Sequence, residues 1–481
     1  MEDITMMKRL TAFLLIMILL FSCIQISEAA SYKRLKKGSR GTDVKQLQTE
    51  LKKQGYYSGK IDGIFGTATL RAVKSFQRRN GLKEDGIAGP QTQQKLYASG
   101  AGTKSTSASV SPQSTVSEQR QASDPEEVIP PDVLSFLEST AEKSGAVCGT
   151  LVLSKHGKTF LKWSFGGVNE KTCFRIASVT KWVTAIGLMT LYDQGKLDLD
   201  KDISDYLGFK VRNPSFPNTP ITARMLLTHT SSLSPDASNY HPDWARIGRK
   251  GYDPIFNESV EPGSQYAYAD YNGALFGCLI EAISKKSVQN YLNEKVFNPL
   301  GLTAAYSPKF LPAGTDTKDL LDPEGKVAIS VKKDRNRAYN NKADPKGNNG
   351  YTVGKLYINA ESLTKLAQMM YYGGELNGVR ILKAETVKLM ESDQPLVAES
   401  RYGLSTVRMK QFDRGIWYGH QGRYSGLSSN VYYQRETGIT LALIMNGYSY
   451  QLEDNVVLPA VTLLKNMEKI ETLCLSEAQV K

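Results

Sequence analysis

Ser178 and Lys181 stand three residues apart in Cys173-Phe174-Arg175-Ile176-Ala177-Ser178-Val179-Thr180-Lys181-Trp182, at the head of an apolar run (Val183, Ala185, Ile186, Leu188, Met189, Leu191). The run predicts a buried helix closing at Gly195. With Ser178 opening that helix, Lys181 lies one turn on, with its amine close to the hydroxyl. Burial and the positive end of the helix dipole both disfavour an ammonium, so a neutral, proton-accepting Lys181 is expected. A weak nucleophile beside a base is what acyl transfer needs. Alone the pair says little, because serine N-caps and helical lysines are common.

Two later stretches add to it. Pro262-Gly263-Ser264-Gln265-Tyr266-Ala267-Tyr268-Ala269-Asp270-Tyr271-Asn272 leads into an apolar helix (Leu275, Phe276, Leu279, Ile280). A loop tyrosine such as Tyr268 can set its phenol oxygen near a nucleophile and shuttle a proton to a leaving group. Gly419-His420-Gln421-Gly422 enters a β segment just before Arg423-Tyr424-Ser425-Gly426. Glycine at a strand edge lets a substrate backbone come close, and the strand's amides can hold an oxyanion.

Together, Ser178-x-x-Lys181, Tyr268-x-Asp270 and His420-x-Gly422 resemble the three active-site motifs of the serine β-lactamase and penicillin-binding-protein family, in its class C-like and DD-peptidase branch. Leu226-Leu227-Thr228-His229-Thr230-Ser231, the Pro262-Gly263 lead-in and Gly301-Leu302 also fit, and the resemblance runs from about Val133 to Met467. It implies that Ser178 attacks a carbonyl, Lys181 assists its deprotonation and Tyr268 passes the proton to the leaving amine. The amides of Ser178 and Arg423 would form the oxyanion hole, and His420 would orient substrate or tune Tyr268. Asp270 departs from the family's usual Asn, and Ser232 from a common Gly. Asp270 would either select a substrate with a free amine or weaken carboxylate-bearing ones. Asn272 is a second polar candidate beside a helix-cap role, and His229 is read as a structural turn residue rather than a base.

The elements that must position these groups read as an α+β domain, an antiparallel sheet backed by helices with a helical subdomain. Val133, Leu134, Phe136 and Leu137 open an amphipathic helix after Pro130-Pro131. Cys148 to Leu153 and Lys158 to Phe165 read as a hairpin around Lys155-His156-Gly157. Gly415 to Gly419, Ser428 to Tyr433 and Gly438 to Met445 are strand-like, Val456 to Met467 is a closing helix, and a tail follows from 471 to 481.

At 481 residues the chain has room for more than one domain. Lys8 and Arg9 precede an apolar run from Leu10 to Phe21, and Ser27-Glu28-Ala29-Ala30 offers a cleavage site, so residues 1–30 read as an export signal. The run is short for a membrane span. The bulky Phe21 argues against lipid attachment at Cys23. Cys148, Cys173, Cys278 and Cys474 are too few for a disulfide framework; Cys148 and Cys173, read in neighbouring strands, fit either a bridge or two buried thiols. None of the four histidines has metal-ligand spacing, and the reading calls for no metal or cofactor.

Residues 31–100 carry fifteen Lys and Arg against five Asp and Glu, an excess of ten in a chain whose net charge is +12. Such a region favours a polyanionic surface. Val44, Leu47 and Leu51 mark one helix face and Leu70, Val73 and Phe76 a second, with Asp43 and Thr67 as candidate N-caps and Pro90 opening a third helix. Asp62-Gly63-Ile64-Phe65-Gly66 is echoed by Asp85-Gly86-Ile87-Ala88-Gly89. Gly41-x-Asp43-Val44-x-x-Leu47-Gln48, Gly55-Tyr56, the first of those turns and Val73-x-x-Phe76-Gln77 resemble the peptidoglycan-binding type 1 module. That implies a three-helix, all-α wall-targeting unit, with Tyr56, Tyr57 and the loop at Asp62 as contact candidates beside packing roles. Residues 101–130, rich in Ser, Thr, Gln and Pro, read as a flexible linker before a hydrolase domain at 131–470. The expected protein is exported and wall-associated, with peptidoglycan and anionic wall polymers as partners; export argues against nucleic acid. Its expected activity is cleavage of D-alanyl bonds, with a teichoic-acid D-alanyl esterase, a β-lactamase and a non-catalytic penicillin-binding protein as alternatives.

Overall fold

The computed structural model describes residues 32–98, 129–235, 255–394 and 402–478, apart from 55, 58, 81, 84, 338, 340, 346–349, 411, 413–414, 450–451 and 454–455. The expected signal segment, Cys23 and nearly all of the expected linker lie outside the described residues. The chain divides into two compact units, 1–118 and 119–481.

The small unit holds α1 (Thr42–Lys53), α2 (Thr67–Arg79) and α3 (Pro90–Ala98). Val44, Leu47, Leu51, Phe65, Val73 and Phe76 are fully buried at its centre. Helix α1 starts after Gly41 without a side-chain cap; Asp43 lies within its first turn, where the helix dipole favours a carboxylate. The sequence echo is a structural repeat. Gln48 Nε2 donates to Asp62 Oδ1 (2.9 Å), Ile64 O (3.1 Å) and Thr69 Oγ1 (3.0 Å), and its Oε1 accepts from Gly63 N (2.9 Å). One helix later, Gln77 makes the same bonds to Asp85 (2.9 Å), Ile87 (3.0 Å), Thr92 (3.0 Å) and Gly86 (2.9 Å).

The large unit is built on a six-stranded antiparallel sheet. Its strands are β1 (Cys148–Lys155), β2 (Lys158–Phe165), β6 (Val407–Met409), β7 (Trp417–Tyr424), β8 (Leu427–Gln434) and β9 (Ile439–Asn446), in spatial order β6-β7-β8-β9-β1-β2. A second small sheet joins β3 (Phe174–Arg175), β4 (Ala304–Ala305) and β5 (Tyr357–Ile358), in order β3-β5-β4. Side chains alternate across the main sheet and both faces are buried. Val152, Ala442 and Ile444 face one core, built with α5 (Val179–Asp193), α6 (Asp270–Ser284), α7 (Val288–Leu292) and α8 (Ala360–Tyr371). Leu151, Leu153, Leu441 and Leu443 face another, covered by α4 (Pro131–Ser144), α9 (Leu458–Lys465) and α10 (Met467–Ala478).

The closing helix expected from Val456 to Met467 is two helices. Val456–Val457 is a short strand, and Pro459 suits the first turn of α9. Asn466 then turns its side chain back onto Thr462 O (2.9 Å) where the helix breaks. Helix α10 runs through the boundary expected at 470, because Met467, Ile470 and Cys474 share one buried face. The four cysteines at 148, 173, 278 and 474 are free and buried. Cys148 lies in the main sheet, whereas Cys173 precedes β3 in the small one, so they are not in neighbouring strands. No helix of the described residues is long and apolar enough to cross a membrane.

Candidate active site

Ser178 sits at the amino-terminal end of α5, immediately after Ala177, whose φ of 47° is sparsely populated for a residue with a Cβ. The whole helix from Val179 to Leu191 is buried between the sheet and α6, so Lys181 is enclosed with it. Its stem needs room. A Cβ on Gly273 of α6 would meet Lys181 Cγ at 2.8 Å, so the lysine lies in the space that glycine leaves.

Lys181 Nζ donates to Ser178 Oγ (3.1 Å) and Val353 O (2.9 Å) and pairs with Asp270 Oδ1 at 2.7 Å. It also lies 5.4 Å from the centre of the Tyr268 ring. Burial pulls the lysine pKa down, but the charges and hydrogen bonds of Tyr268 and Asp270 outweigh it, and the pKa is raised. Lys181 is therefore an ammonium, not the neutral amine expected from burial and the dipole. Those considerations left out the carboxylate at 270.

Tyr268 is held from behind. His229, on the turn after the short helix Ala223–Leu227, stacks on its ring at 4.2 Å with an interplanar angle of 23°. His229 Nδ1 accepts from Ala269 N (3.1 Å) and Asn272 Nδ2 (2.9 Å), which puts its proton on Nε2. Burial, then the charges of Lys181 and His420, hold its pKa well below the usual histidine value. His229 is thus structural, as read, but it braces the site directly. Asn272, a candidate substrate contact, is fully buried and bonded to His229 and to Ser231 Oγ (2.6 Å). Its amide faces inward because α6 begins beneath that turn.

His420 is also occupied. Tyr402 Oη donates to its Nε2 (2.7 Å), and its Nδ1 donates to Gln421 O (2.7 Å). Burial lowers its pKa to about 3, against the opposing effect of the Gln421 bond, so the ring is neutral. It lies under the site in a cluster with Tyr402, Tyr266 and His229, and both ring nitrogens are used there.

Gly422 approaches the Ser178 backbone closely. A Cβ there would lie 2.4 Å from Ile176 O and 2.9 Å from Ser178 N. Opposite it in the ladder, Ser429 donates to Ile176 O (2.7 Å), tying β8 to the segment before Ser178. The backbone at 422–423 is thereby brought beside the Ser178 amide. Strand β6 pairs only with residues Trp417 to Gly419, so among the described residues the β7 edge beyond Gly419 has no partner strand on that side. Arg423 is exposed and, by pleat parity, shares the face of Trp417, away from Ser178.

In the small unit two of the three contact candidates, Tyr56 and Tyr57, pack within the fold, while Asp62 is exposed. Tyr56 meets Phe76 edge-on at 5.3 Å. Tyr57 is buried and donates to Lys60 O (2.9 Å), and Asp62 accepts from Gln48 and from Ile64 N (2.8 Å). Sequence reasoning missed Tyr402, Gly273 and Val353. Val353 acts through its carbonyl, which no side-chain pattern signals; Gly273 was legible only as a gap in an apolar helix.

Residues 135–462 match the model of the beta-lactamase family, and residues 40–96 match that of the peptidoglycan binding domain. The chain belongs to the beta-lactamase family. Its hydrolase domain follows an amino-terminal peptidoglycan-binding domain. The spore cortex-lytic enzyme of Bacillus cereus is 43% identical over 90 residues, 18% of this chain and 35% of that one. Protein flp of Staphylococcus aureus strain MRSA252 is 26% identical over 181 residues, 35% of this chain and 36% of its own. The chain thus spans about a third of the length of these curated relatives. Among solved structures, a penicillin-binding protein homologue from Pyrococcus abyssi superposes with a TM-score of 0.54 at 21% identity, covering 71% of this chain and 76% of that one. A D-amino acid amidase from Ochrobactrum anthropi SV3 gives 0.51 at 20% identity, covering 71% and 99%. Both are similar in fold to the hydrolase domain.

Proposed function

We propose that the protein is an exported, wall-bound serine hydrolase that cleaves D-alanyl bonds of peptidoglycan through an acyl-enzyme, as a DD-carboxypeptidase or endopeptidase. One observation carries the reading: a buried ammonium, Lys181 Nζ, holds Ser178 Oγ at 3.1 Å and Asp270 at 2.7 Å beside Tyr268. In this mechanism Ser178 Oγ attacks the acyl carbonyl while Lys181 stabilises the charge that develops on it. Tyr268 gives its own phenol proton to the departing amine as it takes up the proton of the Ser178 hydroxyl, so the phenol ends as it began. The amides of Ser178 and Arg423 hold the oxyanion. Water then hydrolyses the ester by the reverse proton path.

A second reading, a D-alanyl esterase on teichoic acid, is favoured by the charge of residues 31–100, whose excess of ten positive groups suits an anionic wall polymer. Purified protein incubated with peptidoglycan stem peptides, D-alanylated teichoic acid and a chromogenic cephalosporin separates the two from each other and from a β-lactamase. Mass spectrometry after penicillin should show a covalent adduct on Ser178 that is absent from S178A. Silence on every substrate, with no adduct, removes the enzyme reading and leaves a wall-binding protein.

A further inference from the structure

Away from the nucleophile, positive charge gathers around one buried carboxylate. Asp334, on the short helix Val331–Asn336, accepts from Tyr357 Oη (2.8 Å) and pairs with Arg175 (3.3 Å) and Arg337 (3.5 Å). A third cation stands close by. Lys355 is half-buried, with its ammonium 4.6 Å from the centre of the Tyr351 ring. Burial and the charges of Arg175 and Arg337 pull its pKa below the ordinary lysine value, against the attraction of Asp334. Val331 and Asp334 turn inward, which sends Lys332, Lys333 and Arg335 outward, and all three are exposed. Among the described residues Asp334 pairs with Arg175 and Arg337, while Lys332, Lys333, Arg335 and Lys355 have no carboxylate partner. Asp319 accepts from Val331 N (2.7 Å) at the start of the helix, which leaves six cations facing two carboxylates.

This face adjoins the segment that carries Ser178. Arg175 Nε donates to Gly354 O (2.9 Å), and the neighbouring Val353 O accepts from Lys181. Arg175 precedes Ser178 by three residues, so their Cα atoms lie no more than about 11 Å apart. Tyr424, half-exposed at the end of β7, has its ring centre 5.4 Å from the Arg175 guanidinium. A lone carboxylate would satisfy one of these cations, and single exposed ion pairs are weak. A ligand that repeats its charge along a chain meets several at once. Guanidinium forks and ammonium groups one helical turn apart suit phosphate oxygens.

We propose that Lys332, Lys333, Arg335, Arg337 and Lys355 form a docking surface for a linear polyanion with a phosphate in each repeat. The surface is separate from the basic residues at 31–100 and does not depend on which bond Ser178 cleaves. The test is lysine footprinting of the full chain with an acetylating succinimidyl ester, with and without soluble poly(glycerol phosphate), read by mass spectrometry. The polymer should slow acetylation of Lys332, Lys333 and Lys355 by about fivefold or more. Lys158 and Lys162, exposed on β2, should react as before. Protection of Lys355 should be lost in K332Q/K333Q/R335Q and kept in K158Q/K162Q/K388Q, which removes the same charge elsewhere. S178A should give the wild-type footprint, so the surface stands or falls apart from the hydrolase reading. Protection confined to lysines 33–95, or equal protection at Lys158 and Lys162, overturns the surface. Equal protection by poly-L-glutamate at the same charge concentration overturns the phosphate assignment.

Discussion

Gln48 in the small unit and Lys181 in the large one are both polar side chains with no exposed surface, yet they are buried to different ends. The amide of Gln48 ties together two helices and the turn between them, and Gln77 repeats the arrangement with the same partner types. Such a network specifies a shape. Around Lys181 the surroundings are less settled. Ala177 and His229 both carry positive φ, and His229 Nε2 is buried without a hydrogen-bond partner among the described residues. The ammonium itself is shared among a hydroxyl, a carbonyl and a carboxylate, beside the Tyr268 ring. Strain and incomplete pairing of this kind belong to sites that must act. The small unit uses buried polarity to be rigid; in the proposed mechanism the large one uses it to keep Ser178 poised.

Substitutions at these two buried groups should fail differently. Lys181→Met leaves Asp270 without its ammonium and should lower kcat by about a thousandfold or more, while sedimentation with purified walls stays unchanged. Gln48→Leu orphans the Gly63 amide and should destabilise the small unit by roughly 2–4 kcal/mol. Wall sedimentation should fall, with turnover of a small soluble ester unaffected. If K181M lost wall binding or Q48L lost ester turnover, the division between the units would be wrong. A milder effect is expected of Gly422→Ala, whose methyl must displace the strand from Ile176 O and Ser178 N. It should lower kcat about ten- to a hundredfold with little change in melting temperature.

Acid sharpens the contrast. His420, neutral in the fold with a pKa of about 3 against an ordinary 6.5, binds a proton more readily when unfolded. His229 is shifted in the same direction. Their contribution to stability is therefore present above about pH 6.5 and is lost as pH falls through that value toward 3. Residues 31–100 contain no histidine, and the lowered carboxyls of Asp62 and Asp85 keep their contribution until the pH falls below their ordinary 3.8. All four tryptophans (Trp163, Trp182, Trp244, Trp417) belong to the large unit, so their fluorescence reports on it alone. On acid titration that signal should change before the helical signal of the small unit is lost. The smallest expected effect is that of salt, which should weaken wall sedimentation by screening the basic surface without changing turnover.

The helices and the main strands were legible because periodicity and turn residues mark them: the hairpin Cys148–Lys155 and Lys158–Phe165 and the buried helix after Ser178 lie where the pattern puts them. That Lys181 lies against Ser178 was legible as well, and Asp270 and Tyr268 gather around the same amine. Its electrostatics were not. Local sequence shows the helix that buries Lys181 but not which distant carboxylate will pair with it, so the amine was read as neutral. The same holds for His420 and Asn272, polar residues near the motifs whose partners, Tyr402 and His229, come from other segments. A side chain's partner is a property of the fold, and short motifs do not encode it.

The centre of the main sheet joins β1 to β9, with Cys148 across from Asn446 and the Asn446 amide on the Cys148 thiol over a separation of 298 residues. Closing so long a loop has to precede any gain from the contacts it makes, which favours slow, late assembly. Strands β7 and β8, which wall in Ser178, reach β1 only through β9. A growing or truncated chain lacking residues 439–446 could form the nucleophile helix but would have no pocket around it. Hydrolytic competence should therefore arrive in one step at the end of folding, and a partial chain is inert by construction.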